Sequence, residues 1–280
     1  MLCPCARSEL GAASASERIY VTVADAKNKP VTDLTAADFV IELDGTRQEI
    51  ASVSAAVEPI SLVILTDRLG LSSNYTPFDV GQALREFVAV IRAGSPESKI
   101  ALTTFDGTVL QVTKFTSAPA ELDRALGRLS TTAQDAVFLE ALADVCKLMR
   151  TAPTDRRIIF TLLAAYRPDQ SNLRNEIAAE MLRLSKASLW TVEVRQSDRG
   201  NYGNNVREVV LDSGGQLSGG TRDIVNSRTG VGVSSKQMAE LMLSQYLLTY
   251  GPAGGTATSR LRIGVTRPGV RILAPRWIGR

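Results

Sequence analysis

Histidine is absent from this chain of 280 residues. Its absence excludes Ser/His and Cys/His nucleophiles, imidazole general bases and the usual zinc-ligand sets. A glycine-rich phosphate loop between a strand and a helix is also missing. Scattered carboxylates are the remaining catalytic candidates, so the sequence predicts no catalytic residue and favours a protein that is not an enzyme.

Cysteine is scarce, with three residues in the chain. Cys3 and Cys5 lie near the start, and Cys146 lies on the apolar stripe of a predicted helix. This arrangement predicts no disulfide framework. We interpret Cys146 as a small apolar residue of the core.

The net charge is small, and neither the basic runs nor the apolar runs are long. Lys and Arg number 32 against 29 Asp and Glu, a formal net charge of +3. The longest basic run is the pair Arg156 and Arg157, which is not a nucleic-acid footprint. No apolar stretch approaches the roughly 20 residues of a membrane span. The sequence therefore predicts neither a nucleic-acid partner nor a membrane span.

Residues 1–17 have two interpretations. They lack the apolar segment of a signal peptide, yet Ala13, Ser14 and Ala15 have the small-residue form of a cleavage site. The segment is therefore either a disordered leader or the remnant of a signal.

Residues 58–233 predict the main α/β domain. Continuous apolar strands alternate there with amphipathic helices, which is typical of βαβ units around a mostly parallel sheet. The first strand, residues 60–67, ends at Asp67. Two of the predicted helices run from Asp135 to Met149 and from Gln170 to Ser185. In such sheets, ligands bind at the carboxyl ends of the strands.

The flanking segments 18–57 and 234–280 predict β-structure. Asp44 and Gly45 lie between two apolar runs and indicate a tight hairpin. In 234–280 a helix precedes strands that have no crossover helices, so these strands are expected to be antiparallel. Because the ends of a domain tend to lie close together, we expect both segments to form one small antiparallel β layer.

An ordered set of short motifs resembles the von Willebrand factor type A domain, in particular bacterial relatives whose α/β core is bracketed by β segments. The motifs are Val21–Asp25, Leu34–Phe39, Glu42–Gly45 with Gln48, Pro59–Asp67, Phe115 with Thr116, Asp135 with Ala136, Gly214 with Gly215, Gln245–Tyr250 and Arg267–Gly269. The resemblance implies a three-layer Rossmann-like α/β fold with a mostly parallel central sheet, plus the antiparallel layer.

The resemblance also implies a degenerate metal-ion-dependent adhesion site. The family holds its cation with an Asp-x-Ser-x-Ser loop, a Thr and a second Asp. Here Asp67 and Thr131 match, whereas Leu69 and Leu71 stand at the Ser positions and Ala164 at the second Asp. Two hard ligands are too few for Mg²⁺, so we expect no cofactor. Mg²⁺ is the alternative if Ser72, Ser73, Asp106 or Asp169 substitute for the lost ligands.

Without a cation, each residue has a structural and a functional interpretation. Asp67 either pairs with Arg68 or the amides of the next helix, or contacts a ligand directly. Thr131 is either a helix N-cap or part of the site. Leu69 and Leu71 either tuck under their loop or form an apolar interface patch, to which Tyr166 would contribute.

The sequence thus predicts a non-enzymatic protein-binding or scaffold module with an unidentified protein partner. The predicted binding edge carries Asp67, Arg68, Leu69, Leu71, Ser72, Asp106, Thr131 and Tyr166. The alternative is a weak divalent-cation-dependent adhesion module, and a hydrolase or transferase has the least support. The resemblance implies a bacterial protein located outside the cytoplasm, either periplasmic or secreted.

Overall fold

A computed structural model describes residues 16–68, 77–130, 136–163, 169–193, 203–218, 228–251 and 258–279. The strands are β1 (Glu17–Asp25), β2 (Phe39–Leu43), β3 (Thr46–Gln48), β4 (Ile50–Ala55), β5 (Ile60–Asp67), β6 (Lys99–Phe105), β7 (Val109–Thr116), β8 (Arg156–Leu163), β9 (Ser188–Glu193), β10 (Leu217–Ser218), β11 (Tyr246–Tyr250), β12 (Thr258–Val265), β13 (Val270–Leu273) and β14 (Trp277–Gly279). The helices are α1 (Pro77–Gly94), α2 (Pro119–Leu126), α3 (Phe138–Met149), α4 (Asn175–Ser185), α5 (Gly203–Asp212) and α6 (Arg228–Leu243), with a 3₁₀ turn at Ala36–Asp38.

The central sheet has the strand order β10-β9-β8-β5-β6-β7. Its strands are parallel except for β7, which returns antiparallel to β6 through a tight connection. Strand β5 lies in the middle and is buried along its whole length, as its continuous apolar sequence predicts. Asp67 therefore lies at the carboxyl end of the sheet, which we call the loop edge; the opposite end is the base.

Helices cover both faces of this sheet. One apolar core joins it to α1, α2 and α6, and a second joins it to α3, α4 and α5. The predicted three-layer α/β architecture is thus confirmed. None of the described helices combines the length and the apolarity needed to cross a bilayer.

The flanking strands form antiparallel sheets, as predicted, but two of them instead of one. Their orders are β13-β1-β11-β4 and β14-β12-β2-β3, so each combines strands from both flanks of the α/β region. The sheets pack face to face around a third apolar core, where the rings of Phe39 and Tyr246 meet edge-on at 5.4 Å. We call this unit the terminal sandwich. The boundaries at residues 57 and 233 stay predictions.

The predicted hairpin at Asp44 and Gly45 is confirmed. Both residues have positive φ, 50° and 81°, which is the backbone that a two-residue hairpin turn needs. Leu43 and Thr46 pair directly across the turn. The second strand of the hairpin is short, because β3 ends at Gln48 and the chain then crosses to the other sheet as β4.

Arg156 joins the base of the α/β domain to the terminal sandwich. It is 2% exposed. Its guanidinium donates hydrogen bonds to five oxygens at 2.6–3.3 Å, namely Oε1 of Gln245 and the carbonyls of Ala56, Glu58, Met242 and Leu243. The last two belong to the final turn of α6, whose carbonyls have no partner within the helix. Burial lowers the pKa of Arg156 to about 10, so it stays charged at neutral pH.

Candidate functional site

Two buried carboxylates lie at neighbouring strand tips of the loop edge. Asp67 ends β5 and pairs in register with Phe105, the last residue of β6, and Asp106 follows directly. Asp67 is 8% exposed and Asp106 is 3% exposed. A buried carboxylate requires hydrogen bonds or an opposite charge, so the surroundings of this pair define the chemistry of the edge.

Asp106 is fixed by the turn between β6 and β7. Its Oδ1 accepts hydrogen bonds from the N–H and the hydroxyl of Thr108 at 2.8 and 3.1 Å. Its own N–H donates to the Thr108 carbonyl at 3.0 Å, and its carbonyl accepts from the N–H of Val137 at 3.0 Å. The side chain is therefore held in place independently of any ligand.

Arg68 brings a positive charge to this edge. Its Nη1 lies 3.4 Å from Oδ2 of Asp106, and its Nη2 lies 3.5 Å from the hydroxyl of Ser130. Its backbone N–H donates to the carbonyl of Phe105 at 2.7 Å, which fixes the start of the side chain. The structure thus describes an ion pair between Arg68 and Asp106, and the pairing of Asp67 with Arg68 stays a prediction. The side chain is 23% exposed, so part of the guanidinium faces solvent.

Five of the predicted site residues lie outside the described residues: Leu69, Leu71, Ser72, Thr131 and Tyr166. Their proposed roles stay predictions. The structure brings together Arg68 and Asp106 from the predicted set, beside Asp67. Ser130 joins them and was not predicted, because it contacts Arg68 across 62 positions of sequence.

A second polar cluster at the loop edge fixes the start of α3. Asp169 Oδ1 accepts a hydrogen bond from the N–H of Phe138 at 2.9 Å, and the Ser171 hydroxyl accepts from the N–H of Leu139 at 2.9 Å. Ser171 in turn donates its hydroxyl to Asp169 at 2.7 Å. These contacts cap the helix from a distant segment, in place of a residue just before it.

This capping explains two wrong helix boundaries. Helix α3 begins at Phe138 and not at Asp135. The N–H groups of Phe138 and Leu139, which have no partner within the helix, donate to Asp169 and Ser171. Helix α4 begins at Asn175 and not at Gln170, because the preceding segment pairs with Ala136 and supplies these caps. The Asp169-Gln170-Ser171 sequence is a signal for a local turn, but it does not indicate which helix the turn caps.

Glu140 completes this cluster from the first turn of α3. Its Oε1 accepts hydrogen bonds from the N–H groups of Asn172 and Leu173 at 2.7 and 3.0 Å. Burial raises the pKa of Glu140, but the nearby Ser171 hydroxyl and the backbone N–H groups outweigh it, and the pKa lies below the ordinary value. At Asp169 burial prevails over its hydrogen bonds and raises the pKa. The pKa values of these two neighbouring carboxyl groups are therefore shifted in opposite directions.

The described residues of the loop edge do not fit a Mg²⁺ site. Within the ranges that the structure describes, no three Asp, Glu, Cys or His residues converge on one point. One oxygen of Asp106 serves the Thr108 turn and the other faces a guanidinium. Mg²⁺ demands near-octahedral oxygen coordination, and a fixed positive charge beside its ligands opposes its binding.

A cavity of about 780 Å³ lies at the base, far from the predicted site. It is bordered by the start of β1, by α4 and by β14, and includes Tyr20, Tyr250 and Trp277. Its described lining contains five Arg or Lys and five Asp or Glu side chains. Because the charges balance, the cavity favours neither an anionic nor a cationic ligand.

Comparison with known proteins identifies the fold through structure and not through sequence. No family model matches the chain, and no curated protein matches it. A von Willebrand factor type A protein from Catenulispora acidiphila is similar over 96% of this chain and 75% of that chain, with a TM-score of 0.53 and 12% identity. This coverage extends beyond the α/β domain into the terminal sandwich.

Two pilus proteins are similar to a smaller part of the chain. The D319A mutant of the PilB minor pilin from Streptococcus sanguinis matches 66% of this chain and 62% of that chain, with a TM-score of 0.54 and 7% identity. The vWF domain of the type V pili tip protein Mfa5 from Porphyromonas gingivalis matches 66% of this chain and 95% of that chain, with a TM-score of 0.50 and 11% identity. Together with the six-stranded, mostly parallel sheet and its two helical layers, these likenesses show that the chain has the fold of a von Willebrand factor type A domain.

Proposed function

We propose that this protein is a non-enzymatic binding or scaffold module that captures a protein partner through its loop edge without a bound cation. The observation that carries the proposal is the ion pair between Arg68 and Asp106 at the tips of β5 and β6. A buried carboxylate that receives a guanidinium from its own chain has less need of a metal ion.

The chemistry of the edge supports protein recognition. Arg68 is partly exposed and is anchored at its backbone and at its guanidinium, so little side-chain freedom is lost when a partner binds. Arginine and aromatic residues are frequent anchors of protein interfaces. Leu69, Leu71 and Tyr166 follow strands of the same edge in the sequence and would supply its apolar contacts.

The location of the protein is part of the proposal. Two similar structures belong to pilus proteins, a minor pilin and a pili tip protein. This likeness supports a place outside the cytoplasm, periplasmic or secreted, for the present chain. The partner is then expected to be a protein of that compartment or of the cell surface.

A capture experiment tests the proposal. The immobilised protein is exposed to an extracytoplasmic extract of the source organism, once with EDTA and once with Mg²⁺. The Leu69→Ser/Leu71→Ser variant should lose capture, while its free energy of unfolding changes by less than about 0.5 kcal/mol, as for a surface substitution. The matched control is Val57→Ser, an apolar residue near the base that is 85% exposed. It should capture normally.

Three outcomes would contradict this proposal. Capture that disappears in EDTA indicates the cation-dependent adhesion module instead. Capture that survives the double substitution places the binding surface elsewhere. A loss of about 2 kcal/mol or more in the double variant shows that Leu69 and Leu71 are core residues beneath the loop.

A further inference from the structure

We infer that the cavity at the base is a second binding site, which takes a short, uncharged oligosaccharide. The inference is independent of the proposed function, because the base lies at the opposite end of the central sheet from the loop edge. It follows from the size of the cavity, from the charges of its lining and from the aromatic side chains around it.

The cavity lies where the terminal sandwich meets the α/β domain. The start of β1 and the short strand β14 border it from the sandwich, and α4 and the start of β8 border it from the α/β domain. Its volume of about 780 Å³ falls within the roughly 300–1,000 Å³ of most ligand sites, which commonly lie between structural units. The cavity is therefore large enough for an oligosaccharide and not only for a single ion.

The charged side chains of the lining balance one another and include internal ion pairs. Arg183 pairs with Glu180 on the same helix, and Nη2 of Arg157 lies 3.7 Å from Oδ1 of Asp155. Such pairs offer hydrogen-bond donors and acceptors together without adding net charge. The lining therefore favours an uncharged ligand that carries many polar groups.

Two tyrosine hydroxyls of the lining remain available to a ligand. Tyr250 is 1% exposed, yet none of the hydrogen bonds between described residues involves its hydroxyl, and the same holds for Tyr20. Burial raises the pKa of Tyr250 to about 12 and also raises that of Tyr20, so both hydroxyls stay protonated at neutral pH. Because a buried hydroxyl requires a hydrogen-bond partner, a ligand with hydroxyls of its own suits these positions.

Trp277 supplies an aromatic surface at the border of the cavity, where its side chain is 40% exposed. Side chains alternate along a strand, so Trp277 and Gly279 share one face of β14. A Cβ atom on Gly279 would collide with the side chain of Arg183, so this face is directed towards α4. The indole of Trp277 therefore lies on the side of β14 that faces the cavity.

These features together select the class of ligand. The apolar face of a sugar ring packs on an aromatic ring, while its hydroxyl groups pair with polar side chains around it. A hydrocarbon chain of the same size would leave the charged and hydroxyl groups of the lining without partners, which is costly. The cavity therefore fits a neutral sugar better than a lipid chain.

Isothermal titration calorimetry of the full chain tests the inference with neutral trisaccharides, namely maltotriose, cellotriose and tri-N-acetylchitotriose. At least one of them should bind at millimolar concentration or below. Trp277 gives a second readout, because the chain has two tryptophans and the other, Trp190, is fully buried in the core. The bound sugar should change the tryptophan emission of the wild-type protein but not that of the Trp277→Phe variant.

Two variants locate the bound sugar. Trp277→Ala removes the aromatic surface and should weaken binding about tenfold. Tyr250→Phe removes a single hydroxyl and should weaken binding about fivefold. The matched control is Tyr246→Phe in the same strand, because the hydroxyl of Tyr246 lies outside the cavity lining and already bonds the N–H of Leu34 and the carbonyl of Val31. It should leave the affinity unchanged.

Three results would overturn the inference. The absence of both heat and emission change with all the trisaccharides means that the cavity is not a sugar site. Unchanged affinity in the Trp277→Ala and Tyr250→Phe variants places the bound sugar elsewhere. Tighter binding of trigalacturonic acid or of deacetylated chitotriose, which carry negative and positive charge, contradicts the uncharged class. None of these results bears on the capture experiment at the loop edge.

Discussion

Two arginines at opposite ends of the central sheet hold their positive charges in different ways. Arg156 at the base is 2% exposed and donates to five neutral oxygens. Arg68 at the loop edge is 23% exposed and faces the carboxylate of Asp106. The first arrangement fixes geometry, because each acceptor belongs to a different point of the backbone or to Gln245. The second places a positive charge against a buried carboxylate at the edge where we propose that a partner binds.

The two arginines thus mark a structural end of the molecule and the end where we propose that a partner binds. At the base, Arg156 lies where the linker before β5 meets the last turn of α6 and where β11 of the terminal sandwich begins. A positive charge is favourable at a helix C-terminus, where unpaired carbonyls carry partial negative charge. The structure of the base therefore depends on the buried guanidinium of Arg156.

The largest expected effect is the loss of Arg156. Arg156→Met should lower the free energy of unfolding by about 4 kcal/mol, because several buried carbonyls lose their donors at once. Chemical denaturation measures this loss. The control is Arg157→Met, whose guanidinium donates to the carbonyls of Thr154 and Ser185 at a more exposed position. It should cost about 1 kcal/mol. Equal losses at both positions would show that Arg156 has no special structural role at the base.

Replacing Arg156 by Lys sharpens the same point. Lysine keeps the charge but cannot reproduce the planar fork that reaches five acceptors. We expect the Lys variant to recover less than half of the loss seen with Met. Full recovery in denaturation experiments would mean that charge alone, and not the geometry of the fork, stabilises the base.

Asp106 gives the next largest effect, at the loop edge. Asp106→Ala should cost about 2 kcal/mol, because it removes the acceptor for the Thr108 turn and leaves Arg68 without this carboxylate. Asp106→Asn should cost about 1 kcal/mol, since its amide oxygen can still accept from Thr108. Denaturant melts of the two variants measure the difference. If Asp106→Asn loses as much free energy of unfolding as Asp106→Ala, the ion pair with Arg68 accounts for the loss and the hydrogen bonds of the turn do not.

The sequence predicted those features that depend on local pattern. The apolar run of β5 and the Asp44-Gly45 turn determine their structures within a few residues, and both are found as expected. The three-layer order of the α/β domain followed from the alternation of strands and helices. The single β layer was an underestimate, because the switch of sheets at Glu49 leaves no clear signal in an otherwise continuous β pattern.

The site depended on contacts that local pattern does not contain. The contact of Arg68 with Asp106 depends on the register of β5 against β6. The acceptor for the first N–H of α3 is Asp169, which lies 31 positions further along the chain. Arg156 belongs to the longest basic run of the sequence, and its burial depends on contacts with residues 56–58 and 242–245, which lie far from it along the chain.

The cap of α3 provides a smaller test of the loop edge. Asp169→Ala removes the acceptor for the N–H of Phe138 and for Ser171, so it should cost about 1 kcal/mol, the usual worth of an N-cap. Asp169→Asn retains an acceptor oxygen and should cost less. Amide hydrogen exchange at Phe138 and Leu139 locates the effect. Unchanged exchange at these amides in the Ala variant would show that the cap is not needed.

The smallest expected effect is in the pH dependence, where the edge differs from the base. Arg156 has a pKa of about 10 and does not titrate in acid, whereas Asp169 and Glu140 do. Burial raises the pKa of Asp169 above its ordinary value of 3.8, so its contribution to stability is complete below that pH and is lost as the pH rises through the folded-state pKa. Asp169→Asn should therefore gain stability relative to wild type as the pH rises above 3.8.

Glu140 should show the opposite sign. Burial raises its pKa, but the Ser171 hydroxyl and the N–H groups of Asn172 and Leu173 lower it by more, so the pKa lies below 4.5. Its contribution is then present above pH 4.5 and is lost as the pH falls through the folded-state pKa. Glu140→Gln should lose stability relative to wild type as the pH rises towards 4.5, whereas Asp169→Asn should gain it as the pH rises above 3.8. Unfolding free energies measured from below pH 3.8 to neutral pH decide the matter, because changes of the same sign in the two variants would mean that the two pKa values are shifted in the same direction.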